Sequence, residues 1–195
     1  MKNTKDMTLL ALMSAIIIVM LALPGLGYIP LPYMNATLVH IPVIILAIVK
    51  GPKLGALIGG VFGVSSLINS LIRPNITSFI FINPLVSVLP RILIGLITGY
   101  ISKLLNKKKW KYNLQNIIPA GIGSMVNTVG VLGMIYLIYA KDYLEVTGKV
   151  GSNAFLVIGY IAITQGVVEM IISMIIATPI ANSLLKLNKG NLWFY

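Results

Sequence analysis

The 195 residues are 57% hydrophobic and 10% charged, with mean hydropathy +0.95, a balance that excludes a water-soluble domain of this size. The formal charge of +11 sits in short lysine clusters between apolar runs, a topology signal rather than a groove for phosphates, and so no nucleic acid is expected as a partner. There is no cysteine, which excludes disulfides, thiolate nucleophiles and Cys-type metal sites.

Lipid must solvate most of such a chain. There the backbone has to satisfy its own polar groups, and the apolar runs lack the period-2 alternation of a barrel, so an all-α integral membrane protein is predicted. A spanning helix takes about 20 residues. The length therefore holds six transmembrane helices in a single domain over residues 1–195, without a separate soluble domain.

The first apolar run covers about 7–23, behind Lys2 and Lys5. No small-x-small cleavage site follows it, so it reads as a retained helix rather than a signal peptide. Ala11 and Ala15 lie one turn apart near its start and form a smooth patch on which another helix could dock. The uncharged stretch 24–36, rich in Pro, Gly and Tyr, suits either a lid over an outward-facing pocket or a plain connector.

A short second run, about 37–49, contains Pro42, which predicts a kinked, offset or partly spanning helix. The third run, about 54–72, opens with Gly55, Gly59 and Gly60, and the fifth, about 114–139, carries Gly121 and Gly123. Inside apolar runs these glycines serve close helix approach rather than phosphate binding. The fourth run lies at about 84–104 and the sixth at about 154–185.

Sorting the cations by loop puts Lys2, Lys5, Lys50, Lys53, Lys103, Lys107, Lys108, Lys109, Lys111, Lys186 and Lys189 on one face. Only Arg73, Lys141 and Lys149 fall on the other, so both termini are cytoplasmic by the positive-inside rule. Trp110, Trp193, Phe194 and Tyr195 then fall at the cytoplasmic edge, where amphipathic rings prefer to lie. The outward loops are 24–36, 73–83 and 140–153.

Two ionisable residues remain inside apolar runs, Arg91 and Glu169. Each costs from about 2.5–3.5 kcal/mol upward to bury in a bilayer, so each should face the bundle interior with a partner. They could pair with each other, or Arg91 could fork onto a carboxylate or phosphate while Glu169 accepts from a hydroxyl or amide. Asn127, and Gln165 one turn before Glu169, belong to the same candidate site, with Asn69, Asn75 and Asn83 near the outer ends of the third and fourth helices. Buried amides both donate and accept, which suits a small polar organic molecule better than a bare ion. The single histidine, His40, reads as a capped or packed residue rather than a metal ligand. No HExxH, G-x-S-x-G or phosphate-cradling motif occurs, so no enzyme, metal or cofactor is expected, and energy for transport must come from another subunit or an ion gradient.

The whole chain resembles the substrate-binding S-components of energy-coupling factor (ECF) vitamin transporters. The resemblance rests on Ala11-Leu-Met-Ser-Ala15, Val49-Lys-Gly-Pro-Lys-Leu-Gly-Ala56 and Leu89-Pro-Arg-Ile-Leu-Ile-Gly95. It implies a multi-pass protein of the plasma membrane that captures a vitamin at its outer side. It also implies docking through Ala11 and Ala15 on a transmembrane T-component with two ATPase subunits, whose ATP hydrolysis makes the S-component topple and release its cargo. The run Thr77-Ser-Phe-Ile-Phe-Ile-Asn-Pro84 and the Pro-Arg pair look most like pantothenate-type members, with riboflavin or another vitamin as the alternative. A stand-alone proton-coupled transporter using Glu169 is the competing class, although no internal repeat supports it.

Overall fold

In the computed structural model, which describes residues 4–23, 25–30, 35–107 and 114–189, the six apolar runs are helical over most of their length. Helix α1 is Thr4–Ala22, α2 Ile41–Lys50 and α3 Pro52–Ile72. Two four-residue helices follow, α4 (Ser78–Phe81) and α5 (Pro84–Ser87), then α6 (Leu89–Lys107), α7 (Leu114–Val146) and α8 (Ala154–Lys189). Between α1 and α2, strands β1 (Tyr28–Pro30) and β2 (Asn35–Thr37) pair antiparallel, with Tyr28 opposite Thr37. Among the described residues, four stretches are long and apolar enough to cross a bilayer by themselves: Pro52–Ile72, Pro84–Asn106, Gln115–Val146 and Ala154–Leu187. The edge aromatics expected at Trp110, Trp193, Phe194 and Tyr195 lie outside the described residues, as do Lys2, Lys108, Lys109, Lys111 and residues 24 and 31–34 of the first loop.

Helix α2 is the centre of the bundle. Every residue from Ile41 to Ile48 is buried, because α1, α3, α6, α7 and α8 all pack around it. Its ten residues rise about 15 Å, half of a hydrocarbon core of about 30 Å. Pro42 stands in its first turn, where a missing N–H leaves no bond unmade. The proline that predicted a kink therefore starts the helix instead. At the other end Gly51 adopts φ 86°, closes α2 by donating its N–H to the Ala47 carbonyl and hands over to Pro52 at the start of α3. A residue with a Cβ would resist that φ.

Helices α3 and α6 touch backbone to backbone. A Cβ on Gly95 would collide with the Gly55 carbonyl, one on Gly59 with the Arg91 carbonyl, and one on Gly99 with Pro52. The packing role expected of Gly55 and Gly59 is thus played against α6, while Gly60 faces looser space, with Ile92 3.9 Å from its would-be Cβ. Two contacts fix the bundle ends. Lys50 Nζ pairs with Asp6 at 2.8 Å, joining the end of α2 to the start of α1, and Arg73 Nη1 donates to the Ala22 carbonyl, joining the ends of α3 and α1.

Two boundaries differ from the sequence reading. The expected 140–153 loop is helical as far as Val146. Lys141 and Glu145 are good helix formers one turn apart, Tyr143 and Leu144 are buried, and no glycine intervenes before Gly148 with its φ of 69°. The helix instead loses its regular geometry at Tyr139 (φ −127°, ψ 22°). The fourth run is likewise broken, at Val88 between α5 and α6.

Candidate functional site

Proline 90 explains how the bundle holds Arg91. Lacking an N–H, Pro90 cannot donate to the carbonyl four residues earlier, and that carbonyl, Val86 O, instead accepts Arg91 Nη1 at 2.5 Å. The guanidinium lies 5.3 Å from the Phe62 ring centroid and 5.6 Å from that of Phe81, in a side chain only 6% exposed. A charge-assisted hydrogen bond contributes about 1.5–3 kcal/mol and each aromatic face about 0.5–2. Together they offset a burial cost of about 2.5–3.5 kcal/mol. The Pro-Arg pair is therefore one device.

Glu169 on α8 is 2% exposed and gathers donors from three elements. Its Oε1 accepts from the Thr37 backbone N–H at 2.7 Å and from Gln165 Nε2 at 2.9 Å, and its Oε2 accepts from Thr128 Oγ1 at 3.1 Å. Such bonds to an ionised acceptor are about twice as strong as neutral ones. They fix the carboxylate and also tie the end of β2 to α7 and α8.

One turn further along the same helices, His40 Nε2 lies 3.1 Å from Ser124 Oγ and 2.9 Å from Ser173 Oγ. His40 is fully buried. It is packed as expected, but it is bonded across two helices rather than capping its own.

Asn127 is 5% exposed, and its Oδ1 accepts no hydrogen bond among the described residues. Gly130 lies against Pro90 and Gly123 against Thr98, so Asn127, on the same face of α7 between them, is level with the turn of α6 that starts at Arg91. Gln165 and Glu169 are thus bonded on α8 and reach α7 through Thr128, and Asn127 lies level with the turn of α6 that carries Arg91, whose guanidinium is held by Val86, Phe62 and Phe81.

Asn75 and Asn83 are used locally. Asn75 Oδ1 accepts from Thr77 N, Thr77 Oγ1 and Ser78 Oγ at 3.0–3.1 Å, an Asx turn that shapes the approach to α4. Asn83 caps α5, its Oδ1 accepting from Leu85 N at 3.0 Å. Its Nδ2 reaches the Tyr139 hydroxyl at 3.2 Å, and the Tyr139 ring stands edge-on to Phe79. This second amide therefore fastens the outer helices to the irregular turn of α7.

The sequence reading missed Thr37, Ser124, Thr128 and Ser173. The available signal was spacing: Ser173 follows Glu169 by one turn, and Thr128 follows Ser124 by one turn. Ala11 and Ala15 are both exposed, on the face of α1 opposite buried Leu9, Met13, Ile17 and Leu21.

Apolar spans around a buried polar cluster define a multi-pass membrane protein of the cell membrane. Residues 5–181 match the ECF transporter, substrate-specific component, and the chain belongs to that family. A pantothenate transporter, PanT, of Leuconostoc mesenteroides is 31% identical over 193 residues, covering 95% of this chain and 94% of the relative. A pantothenic acid transporter, PanT, of Lactococcus lactis is 30% identical over 204 residues, covering 95% and 97%.

Proposed function

We propose that this chain captures pantothenate at the extracellular side of the membrane as the S-component of an ECF importer, and delivers it by toppling when docked on a T-component with two ATPase subunits. The reading takes residues 1–195 as one domain of six transmembrane helices with both termini cytoplasmic. Its support is the lysine asymmetry together with the Lys50–Asp6 pair at one end of the bundle and the Arg73–Ala22 contact at the other.

The observation that carries the substrate is the set of polar side chains, Arg91, Asn127 and Glu169 among them, that α6, α7 and α8 keep buried. Pantothenate has one carboxylate, two hydroxyls and an amide. Arg91 supplies a planar cation for the carboxylate, while Asn127 Oδ1, Gln165 and Glu169 face the hydroxyl and amide groups. Asn75 and Asn83 contribute by shaping the outer rim. The segment that follows the proline-rich first loop is attached to Glu169 through the Thr37 N–H. The names of both relatives favour the same vitamin.

Titration of ligand-free protein with pantothenate and riboflavin tests the reading, and stoichiometric pantothenate binding without riboflavin binding is the expected result. Riboflavin binding alone would transfer the role to the alternative vitamin. Uptake by the isolated protein that collapses with the proton gradient would replace the whole mechanism with secondary transport. Arg91→Ala is expected to weaken pantothenate by roughly 10–150-fold, the equivalent of about 1.5–3 kcal/mol, and to change binding of panthenol, the neutral alcohol analogue, far less. Equal losses for both would make Arg91 a purely structural residue.

A further inference from the structure

His40 is a buried ionisable group that the binding reading leaves unused. Its ring nitrogen bridges Ser124 on α7 and Ser173 on α8. Three residues earlier the Thr37 N–H reaches Glu169, which Thr128 also holds. Ser124 and Thr128 lie one turn apart, as do Glu169 and Ser173. The segment 37–40 is therefore attached twice to the same pair of helices, at points one turn apart.

That segment is compact. Leu38 donates its N–H to the Gly27 carbonyl at 2.8 Å and Ile41 donates to the Leu38 carbonyl at 3.0 Å, so a shift of His40 is carried directly to Thr37. An imidazole and two hydroxyls, all fully buried, cost more to place in an apolar bundle than aliphatic side chains of the same volume unless they are bonded to each other. Bonded, they select one register between the start of α2 and the α7–α8 pair.

We propose that His40 is a positioning residue for solute binding: through Ser124 and Ser173 it fixes the start of α2, holds the Thr37 N–H on Glu169, and so aims the free side of that carboxylate at the solute. The inference rests on Glu169 being a solute-binding group. It predicts two effects that a general packing role would not produce, a local loss of Thr37 protection and an affinity loss that passes through Glu169.

Hydrogen exchange on the full-length, ligand-free protein reads the first. His40→Ala, and separately the Ser124→Ala/Ser173→Ala pair that keeps the imidazole, should each speed exchange of the Thr37 amide at least tenfold, with peptides from α3 and α6 unchanged and with His40→Gln recovering part of the protection. Pantothenate titration reads the second. His40→Ala should cost at least tenfold in affinity, Glu169→Gln a comparable amount, and the double variant no more than the larger single loss.

Unchanged Thr37 exchange, acceleration spread evenly over all helices in both sets of variants, or losses that multiply in the double variant would each overturn the proposal. Absence of pantothenate binding by the unsubstituted protein would instead remove the proposed substrate. Exchange at Thr37 would still decide whether His40 holds Glu169.

Discussion

Gly95→Val is expected to leave no folded protein, and Gly95→Ala to lower the thermal unfolding midpoint of the detergent-solubilised chain substantially. A Cβ at this position would enter the backbone of residues 55 and 56. Because those atoms are carbonyl and amide rather than the tip of a flexible side chain, only separation of α3 from α6 can relieve the clash. Ordinary overpacking costs about 1–3 kcal/mol, and Gly95→Ala should lie at or above the top of that range. Its effect should also reach the site, since Arg91 is one turn away and its carbonyl packs against Gly59. Gly133→Ala is the matched control. Nothing lies within 4 Å of a Cβ there, and an alanine in a helix interior is favoured over glycine by about 1 kcal/mol, so its midpoint should hold or rise. An unchanged midpoint for Gly95→Ala would mean that the two helices are not in backbone contact.

Hydropathy made the helices legible because lipid enforces helix wherever the chain is continuously apolar. The same signal could not separate a helix that spans from one that is enclosed. Residues 41–48 are as apolar as any spanning segment, yet α2 has ten residues and is sheathed by five neighbours, a matter of packing that periodicity does not encode. Arg91 and Glu169 were legible as interior groups from the cost of burying charge. Of their holders only Gln165 was, by its place one turn before Glu169.

Several hydroxyls in these helices bond the carbonyl one turn back, as do Ser14, Ser70, Ser87 and Thr164. Composition therefore cannot single out Ser124, Thr128 and Ser173, which bridge helices. Asn75 and Asn83 show the opposite problem. Asn-Ile-Thr-Ser and Asn-Pro are turn and cap sequences, and the local chemistry that they announce is what the structure displays. Pro90 and Arg91 stood out in the sequence as a pair only through the resemblance, and the Val86 carbonyl supplies the physical reason for the pairing.

Replacing Ala11 and Ala15 together with tryptophan is expected to reduce uptake in cells to background while leaving pantothenate binding by the purified protein within about threefold of the original, a change below about 0.7 kcal/mol. The separation follows from α1 itself. Leu9, Met13, Ile17 and Leu21 recur every fourth residue and face the core, so the two alanines, on the opposite face and exposed, carry none of the chain's own packing. A tryptophan there meets lipid in the free protein and would meet a partner helix only in the assembled importer. Small residues let helices approach closely, and one bulky side chain is enough to prevent it. The proposed site draws on α2, α6, α7 and α8, which the substitution does not touch. Loss of binding along with uptake would place the alanines in the chain's own fold; retention of both would move docking to a different face of the bundle, and copurification of the T-component with the variant would show the same without a transport assay.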